Sequence, residues 1–440
     1  MSSTVSKSDS FFPRWALKPE GMVLPEERLP AGPTIVAGIQ HIIAMFGSTV
    51  LGPILMGLNP NLAIFFSGIA TLIFFAITGG RVPSYLGTSF SFIAVVIAAT
   101  GYAGSGPNPE VGIALGGILA AGALYAAIGI LVQLAGYRWI ERLMPPVLTG
   151  SIVAIIGLNL APIAIKHISA NPLGTWVGIA TVVAVAAVAC HASGIARRLP
   201  ILAGGGAAYL LYLALANGLG LSQPIDFAPL ADAAWFAWPS FAAPEFDGRA
   251  ISLIAPVAII LVAENLGHVK AIGGMTGRPL DAWLGRAFLG DGIATMLSAA
   301  FGGPGVTTYA ENMGVMAVTR IYSTLVFMVA GLIAVLIGLS PKIGALVLTI
   351  PEPVIGGLSI VVFGLIAATA GRIWVENRVD FSDPRNLLTV GVALTLGAGD
   401  LTLPLGNFTL SGIATATFGA IILYHLLRPG RDGAPGETFQ

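Results

Sequence analysis

The stretch AISLIAPVAIILVAENLGHVKAI (250–272) is apolar enough to cross a lipid bilayer as a helix, yet it holds Glu264 in its middle and His268 one helical turn later. A second acid, Glu311, lies in another apolar stretch, GGPGVTTYAENMGVMAV (302–318). Ionisable groups at membrane depth cost several kcal/mol, so they usually face a cavity and have a function there. The two acids therefore predict a polar site inside a membrane protein. The alternative is a pair of buried acids that neighbours satisfy and that do nothing else.

The composition of the whole chain agrees with a membrane location. Hydrophobic residues make up 55% of the 440 residues and charged residues only 10%, whereas soluble domains have about 25% charged residues. One helical span needs about 20 apolar residues, so the chain is long enough to cross a bilayer many times. The formal net charge of zero argues against a nucleic-acid partner. The single cysteine, Cys190, excludes an internal disulfide framework.

Breaks at glycine, proline and charged residues divide the chain into fourteen apolar runs. Two of them, 88–101 and 307–319, are too short to span a bilayer as plain helices. With the N-terminus inside, most lysines and arginines fall in inner loops, and the outer loops receive only Lys166, Arg249 and Lys342. This bias follows the positive-inside rule and predicts that both termini are cytoplasmic. The polar N-terminal stretch lacks a signal-peptide pattern.

The two short runs are the third and the tenth, seven runs apart. An odd offset places corresponding segments in opposite orientations, which is typical of an inverted repeat. Traces of such a repeat occur in runs five and twelve, MPPVLTGSIVAIIGLNLA (144–161) and IPEPVIGGLSIVVFGLIAA (350–368), which share Pro-Val and similarly spaced glycines. Chance similarity between apolar stretches rich in glycine and proline is the competing explanation.

Both short runs are preceded by helix-breaking residues. GRVPSYLGTSFSF (80–92) contains Pro83, and GGPGVTTYAEN (302–312) contains Pro304. Irregular backbone is tolerated at membrane depth only if it is buried or lines a cavity. We therefore expect two short extended pieces to pair with each other, each leading into a half-helix whose first amides face a ligand. Flexible loops that dip into the headgroups are the alternative.

This arrangement would place Phe90 and the backbone of Tyr309 and Ala310 near Glu311. Two carboxylates accept hydrogen bonds from N–H donors, peptide groups offer donors and acceptors, and an aromatic ring offers a stacking face. A small planar heterocycle with alternating N–H and C=O groups fits these groups. A sugar would need more polar side chains, and an inorganic anion would need arginine or lysine.

Three motifs resemble the nucleobase–cation symporter-2 family, also called nucleobase–ascorbate transporters. They are AENLGH (263–268), TTYAENMGVMAVTR (307–320) and the Gln40–His41 pair in GIQHIIAMFGSTV. The family signature, Gln/Glu/Pro-Asn-x-Gly followed after four residues by Thr-Arg/Lys/Gly, is matched by Glu311, Asn312, Gly314, Thr319 and Arg320. The resemblance covers about 30–427 and is strongest to the Rut-pathway pyrimidine permeases, through motifs such as RVPSYLGTSFSF and RWIERLMPP.

The resemblance implies an all-α polytopic fold with fourteen transmembrane segments in a seven-plus-seven inverted repeat, with short antiparallel strands in segments three and ten. A core domain would rock against a gate domain, and gate domains would pair in a homodimer in the bacterial inner membrane. The expected boundaries are an N-terminal tail (1–30), core (31–140 and 250–342), gate (141–220 and 343–428), a periplasmic loop (221–249) and a C-terminal tail (429–440). Residues 1–28 and 429–440 are expected to be mobile and dispensable.

The resemblance also implies roles for single residues. Glu264 and Glu311 would bind the base, Phe90 would stack on it, and Tyr309 and Ala310 would offer backbone groups.

Other positions would support this site. Ser48 would lie beside the base, at a position where the resemblance implies that uracil permeases have alanine. His268 would take part in proton coupling. Gln40 and His41 match a first-span motif, in which His41 is expected to support the core. Asn312 would orient Glu311.

One position departs from the simplest uracil permeases. Asp291, in FLGDGIATM (288–296), matches an acid that purine members have and that those permeases replace by asparagine. It is either a proton relay or a helix acid bonded to nearby backbone. The same resemblance implies that xanthine and urate carriers have glutamine at the position of Glu311, so the acid there favours a pyrimidine as the substrate.

Together these features predict import of uracil, and of related pyrimidines such as thymine, by proton symport. Glu264 and His268 are four residues apart on one helix face and can exchange a hydrogen bond. The chain lacks a phosphate-binding G-x-x-x-x-G-K-[ST] motif, so an ion gradient is the expected energy source, with Na⁺ as the alternative to H⁺. No cofactor, metal ion or catalytic residue is expected. The alternatives are a xanthine or purine symporter, an anion transporter of related fold and, least favoured, a membrane enzyme.

Overall fold

The computed structural model describes residues 11–102, 106–193, 196–197, 199–406 and 408–427. The first helices are α1 (Ala31–Met56), α2 (Pro60–Ile77), α3 (Ile93–Thr100), α4 (Val111–Ala135), α5 (Arg138–Leu143), α6 (Pro146–Ile168), α7 (Pro172–His191), α8 (Pro200–Leu213) and α9 (Ala228–Asp232). They are followed by α10 (Gly248–Ile254), α11 (Val257–Thr276), α12 (Leu284–Ala300), α13 (Ala310–Thr319), α14 (Thr324–Gly338), α15 (Pro341–Leu348), α16 (Glu352–Glu376), α17 (Pro384–Ala398) and α18 (Gly412–Leu426). Short strands form three two-stranded sheets: β1 (Ala16–Leu17) with β2 (Glu27–Arg28), β3 (Leu86–Thr88) with β4 (Val306–Thr308), and β5 (Leu403–Leu405) with β6 (Phe408–Leu410).

Helix ends follow local sequence. At the start of α2, the Asn59 side chain accepts a hydrogen bond of 2.9 Å from the Asn61 backbone N–H, and Pro60 occupies the first helical position, where its missing N–H costs nothing. Helices α1 and α11 end at Gly57 and Gly277, whose φ angles of 68° and 67° lie in the left-handed region that glycine adopts without strain. Proline and glycine therefore set the breaks between apolar runs.

Eight helices in the described ranges are long and apolar enough to cross a membrane. A ninth span results if α14 and α15, which are bent by 79° at their junction, are taken together. These helices confirm a largely helical, multi-pass membrane protein. The count of fourteen segments and the boundaries of core and gate stay predictions.

The two broken segments meet as predicted. Strand β3 pairs antiparallel with β4, and the hydrogen bonding continues beyond both strands. The Ser89 backbone N–H donates to the Gly305 carbonyl at 2.9 Å, and the Tyr309 N–H donates to the Tyr85 carbonyl at 3.0 Å. All six strand residues are buried. The pair therefore satisfies its backbone groups inside the protein, as irregular backbone at membrane depth requires.

Three pairs of long helices pack with their backbones nearly in contact. A Cβ atom added at Gly129 of α4, Gly68 of α2 or Gly157 of α6 would lie under 3.0 Å from backbone atoms of α12, α14 or α16, respectively. Small residues allow such approach where helices associate without a hydrophobic driving force. Glycines therefore permit this close helix packing, and two of these helices, α2 and α12, contact β3 and β4, respectively.

The expectation of a mobile N-terminal tail is wrong for residues 11–28. Val23 is fully buried, its N–H donates to the Arg320 carbonyl at 3.0 Å, and its carbonyl accepts from the Tyr322 N–H at 2.7 Å. These contacts join positions almost 300 residues apart, so no local sequence pattern predicts them. The same expectation for residues 1–10 and 429–440 lies outside the described residues.

Candidate functional site

Glu264 lies in α11, which packs against β4 and against the 3₁₀ turn Phe90–Phe92 that follows β3. Within the described part of the chain, its Oε2 atom is buried without a hydrogen-bond partner, and so is Oγ of Ser91 in that turn. The Ser91 hydroxyl lies beside the Glu264 carboxyl. A buried polar atom without a partner is costly, so this corner of the protein is suited to a polar ligand or a bound proton.

Glu311 lies in the first turn of α13, directly after β4. The Ser48 hydroxyl of α1 donates a hydrogen bond of 2.5 Å to Glu311 Oε1. Glu311 also interacts electrostatically with Glu264. The strand pair thus brings together two acids that are 47 positions apart in the sequence, and Ser48 joins them from the first helix. The helix N-terminus favours negative charge at Glu311.

Phe90 begins the 3₁₀ turn that follows β3 and is 8% exposed. Its ring packs edge-to-face on Phe363 of α16, with ring centroids 5.9 Å apart and planes at 81°. Sequence reasoning missed Phe363, because it lies in an apolar run, IVVFGLIAA (360–368), with no polar residue beside it to mark it. A residue of the predicted gate therefore touches a residue of the predicted site.

Tyr309 and Ala310 lie where β4 passes into α13. The Tyr309 N–H is already used by the Tyr85 carbonyl, and its hydroxyl donates to the Thr88 carbonyl at 2.9 Å and accepts from Thr49 at 3.2 Å. Ala310 is the first residue of α13, and the first amides of a helix have no partner within the helix. The amides available to a ligand thus begin at Ala310, while the side chain of Tyr309 locks the strand pair to α1.

His268 does not form the predicted hydrogen bond with Glu264. Among the described residues its Nδ1 atom is paired with Thr308 Oγ1 of β4, at 2.8 Å. The prediction was wrong because a shared helix face does not decide between partners, and β4 offers a hydroxyl to the ring. His268 thus ties α11 to the last residue of β4.

Asp291 of α12 is fully buried. The Asn265 amide of α11 donates to its Oδ2 atom at 3.0 Å, whereas its Oδ1 atom has no partner among the described residues. Asp291 also interacts electrostatically with Glu264. The structure therefore joins Asp291 to the site through side chains and not through backbone groups.

His41 and Asn312 form a buried link between α1 and α13. The Asn312 side-chain amide approaches His41 Nδ1 and donates to the His41 carbonyl, both at 3.0 Å, and the His41 ring packs on Phe327 with centroids 4.5 Å apart. Gln40 is half-buried and makes no side-chain hydrogen bond within the described ranges. Asn312 therefore ties α13, the helix that contains Glu311, to α1, and it does not bond to Glu311 itself. Gln40 does not take part in this link.

The chain is similar to known membrane permeases. A family model described as Permease family (Xan_ur_permease) matches residues 32–406. Over 94% of the chain, the protein is 61% identical to an Escherichia coli K12 protein named "Putative pyrimidine permease RutG", covering 95% of it. It is 39% identical to the uracil permease of Bacillus caldolyticus, over 94% of the chain and 96% of that protein.

A solved structure shows the same fold at low sequence identity. The transmembrane domain of the cyanobacterial bicarbonate transporter BicA superposes with a TM-score of 0.60 at 16% identity, covering 89% of this chain and 97% of that one. The relatives with high identity are permeases and not enzymes. The chain therefore belongs to the nucleobase–cation symporter-2 family of membrane permeases.

Proposed function

We propose that the protein imports uracil, together with pyrimidines of similar shape such as thymine, in symport with protons. The observation that carries this proposal is the meeting of Glu264 and Glu311 beside Phe90 at the crossing of β3 and β4. Uracil has ring N–H donors for two carboxyl groups and a flat face for an aromatic ring. The names of the relatives with high identity point to the same substrate class.

Each group then has a defined role. Glu264 Oε2, which is buried and has no hydrogen-bond partner among the described residues, accepts a hydrogen bond from the base, and Glu311, oriented by Ser48, accepts another. Phe90 stacks on the ring, and the amides that begin at Ala310 bind a carbonyl oxygen of the base.

Proton coupling follows from the number of acids in one buried site. Glu264 interacts with both Glu311 and Asp291, and three negative charges cannot share a site of low dielectric without a compensating cation. A proton bound within this group permits a neutral base to enter, and its release on the other side of the membrane weakens binding. His268, held by Thr308, lies one helical turn after Glu264 on α11. This arrangement favours Asp291 as a proton relay.

We further propose that the fold is a seven-plus-seven inverted repeat with fourteen segments. An inverted repeat relates each segment of the first half to the segment seven places later. A contact between segments four and nine therefore predicts an equivalent contact between segments eleven and two. These are the pairs α4–α12 and α14–α2, and both pack through glycine. Segments three and ten pair through β3 and β4, and segments five and twelve through α6 and α16. Such reciprocal pairs are expected of an inverted repeat.

In this architecture the strand pair and its neighbours form the core, and α6–α8 and α16–α18 form the gate. Movement of the core against the gate, past the contact of Phe90 with Phe363, exposes the site to each side of the membrane in turn. We assign the protein to the bacterial inner membrane, with cytoplasmic termini and a homodimer formed through the gates.

Two other substrate classes, purines and inorganic anions, are alternatives to uracil. Asp291 matches an acid of purine carriers, which favours xanthine as a second candidate. The fold is shared with a bicarbonate transporter, but a pocket with Glu264 and Glu311 repels anions, so an anion substrate is disfavoured.

Uptake of radiolabelled uracil into proteoliposomes tests the proposal. An inward proton gradient should drive accumulation, a protonophore should abolish it, and unlabelled uracil and thymine should compete better than xanthine. Accumulation of xanthine without uracil would move the protein to the purine carriers. Accumulation driven by Na⁺ alone would overturn the proton coupling.

A further inference from the structure

Helix α13 positions Glu311, yet it has little packing of its own. It is ten residues long, and only Asn312 and Met316 among its residues are buried. It ends at Arg320, whose φ of 56° lies in the left-handed region although the residue has a Cβ atom. Short helices are marginal without tertiary contacts. The end of α13 that lies away from the strand pair therefore needs an anchor if Glu311 is to stay aligned.

The corresponding half-helix on the other side of the strand pair, α3, has its anchor in the loop that follows it. The Asn108 side-chain amide donates to the Met56 carbonyl and to Thr100 Oγ1, both at 3.1 Å. The Asn108 backbone N–H donates to the Gly57 carbonyl at 2.9 Å, and Asn108 is only 3% exposed. These bonds join the end of α3 to the end of α1.

The end of α13 is held instead by the N-terminal strap, residues 11–29. In addition to the bonds of Val23 with Arg320 and Tyr322, the Trp15 indole donates to Thr324 Oγ1 at 3.1 Å. The Thr324 hydroxyl in turn donates to the Pro25 carbonyl at 2.9 Å, and Thr324 is 1% exposed. The strap thus holds the end of α13 and the start of α14, whereas the Asn108 loop holds the end of α3.

Other residues of the N-terminal strap contact α2 and the loop after α11. Glu26 forms an ion pair with Arg278, in the loop after α11. Phe12 and Trp15 stack on Phe75 of α2, with centroids 5.6 and 5.9 Å apart. Every one of these contacts lies in the proposed core, so the strap would move with the core during transport.

We propose that the N-terminal strap is a positioning element for the substrate site: it clamps the joint between α13 and α14 and thereby holds Glu311 in register with Glu264. This proposal rests on the proposed function, because it assigns the strap to base binding. Trp15 and Thr324 act through α13 and do not touch the substrate.

The test uses the full chain with Trp15→Phe, which keeps an aromatic ring but loses the indole N–H donor, and Thr324→Val, which keeps a similar volume but loses the hydroxyl. Thr395→Val, on α17, removes a hydroxyl that donates to the Gly391 carbonyl and serves as the matched control. Hydrogen exchange of the amides of α13 is measured on the purified proteins, and the KM and maximal rate of uracil uptake are measured in proteoliposomes.

We expect faster exchange in α13 and a rise in KM of roughly fivefold in both strap variants, the factor that one net hydrogen bond represents. The maximal rate of uptake by both strap variants should stay near the wild-type value. The control, Thr395→Val, should show wild-type exchange in α13 and a wild-type KM. Unchanged exchange in α13 would overturn the proposal, and faster exchange with an unchanged KM would overturn the positioning role. Absence of uracil uptake by the wild type would refute the proposed substrate, while the exchange data would still decide whether the strap holds α13.

Discussion

The hydroxyl of Ser48 donates a hydrogen bond of 2.5 Å to Oε1 of Glu311, although the two residues are 263 positions apart in the sequence. Ser48 lies in α1, and Glu311 lies in the first turn of α13. The bond fixes the orientation of the Glu311 carboxyl relative to the strand pair. The first helix is therefore part of the site and not only of its scaffold.

Replacement of Ser48 by alanine should weaken uracil binding without abolishing transport. A net hydrogen bond contributes about 1 kcal/mol, so KM for uracil should rise roughly fivefold while the maximal rate changes little. Ser359→Ala is the control, because its hydroxyl donates to the Ile355 carbonyl within α16. Initial rates of uptake over a range of uracil concentrations provide the measurement. An unchanged KM at normal expression would show that Ser48 does not orient Glu311 for binding.

Gly87→Ala should disrupt the strand pair. A Cβ atom at Gly87 would lie 2.6 Å from the Tyr309 ring and 2.7 Å from Thr49 Oγ1, and overpacking of a buried site costs about 1–3 kcal/mol. We expect a lower thermal midpoint in detergent and loss of uracil uptake. Gly391→Ala on α17, where a Cβ atom meets open space, should leave both unchanged. Wild-type uptake by Gly87→Ala would contradict the tight crossing of β3 and β4.

The link between His41 and Asn312 should behave as one unit. Asn312→Ala removes both hydrogen bonds to His41 and should destabilise the protein by about 1–3 kcal/mol, since buried groups lose their partners. His41→Ala combined with Asn312→Ala should cost less than the sum of the single changes, by at least about 0.5 kcal/mol. Thermal unfolding of the four proteins measures this coupling. Strict additivity would mean that the two side chains do not stabilise each other.

The acids were predictable because their cost at membrane depth makes them conspicuous in an apolar sequence. Pro83 and Pro304 likewise marked the two broken segments, and the pairing of β3 with β4 followed from the need to satisfy exposed backbone. These inferences depend on local composition and on one general rule of membrane proteins. They required no knowledge of the packing around the site.

Side-chain partners were harder to predict, because they depend on which elements cross. The i, i+4 spacing suggested that His268 would bond to Glu264, but Thr308, 40 positions away, takes its Nδ1 atom. The N-terminal strap looked like a polar tail, since its bonds to Arg320, Tyr322 and Thr324 have no periodic pattern in the sequence.

Phe363 should contribute to uracil transport from the gate side. Removal of its edge-to-face contact with Phe90 by Phe363→Ala should cost about 0.5–1.5 kcal/mol and raise KM by roughly twofold to tenfold. Phe363→Tyr keeps the ring and should stay near wild type. Phe381→Ala, which removes a similar edge-to-face pair with Trp374 at 5.4 Å, is the control in uptake assays. Equal KM values for Phe363→Ala and wild type would exclude this contact from the transport cycle.

Glu264→Gln tests the central claim, that a buried carboxyl group binds the base and couples its import to protons. The substitution keeps the volume of the side chain and removes its charge and its capacity to bind a proton. Glu376→Gln, at the exposed ion pair with Arg372, is the matched control. Uptake of radiolabelled uracil under an inward proton gradient should be lost in Glu264→Gln at normal expression and retained in Glu376→Gln. Proton-driven uptake by Glu264→Gln at the wild-type rate would contradict the account.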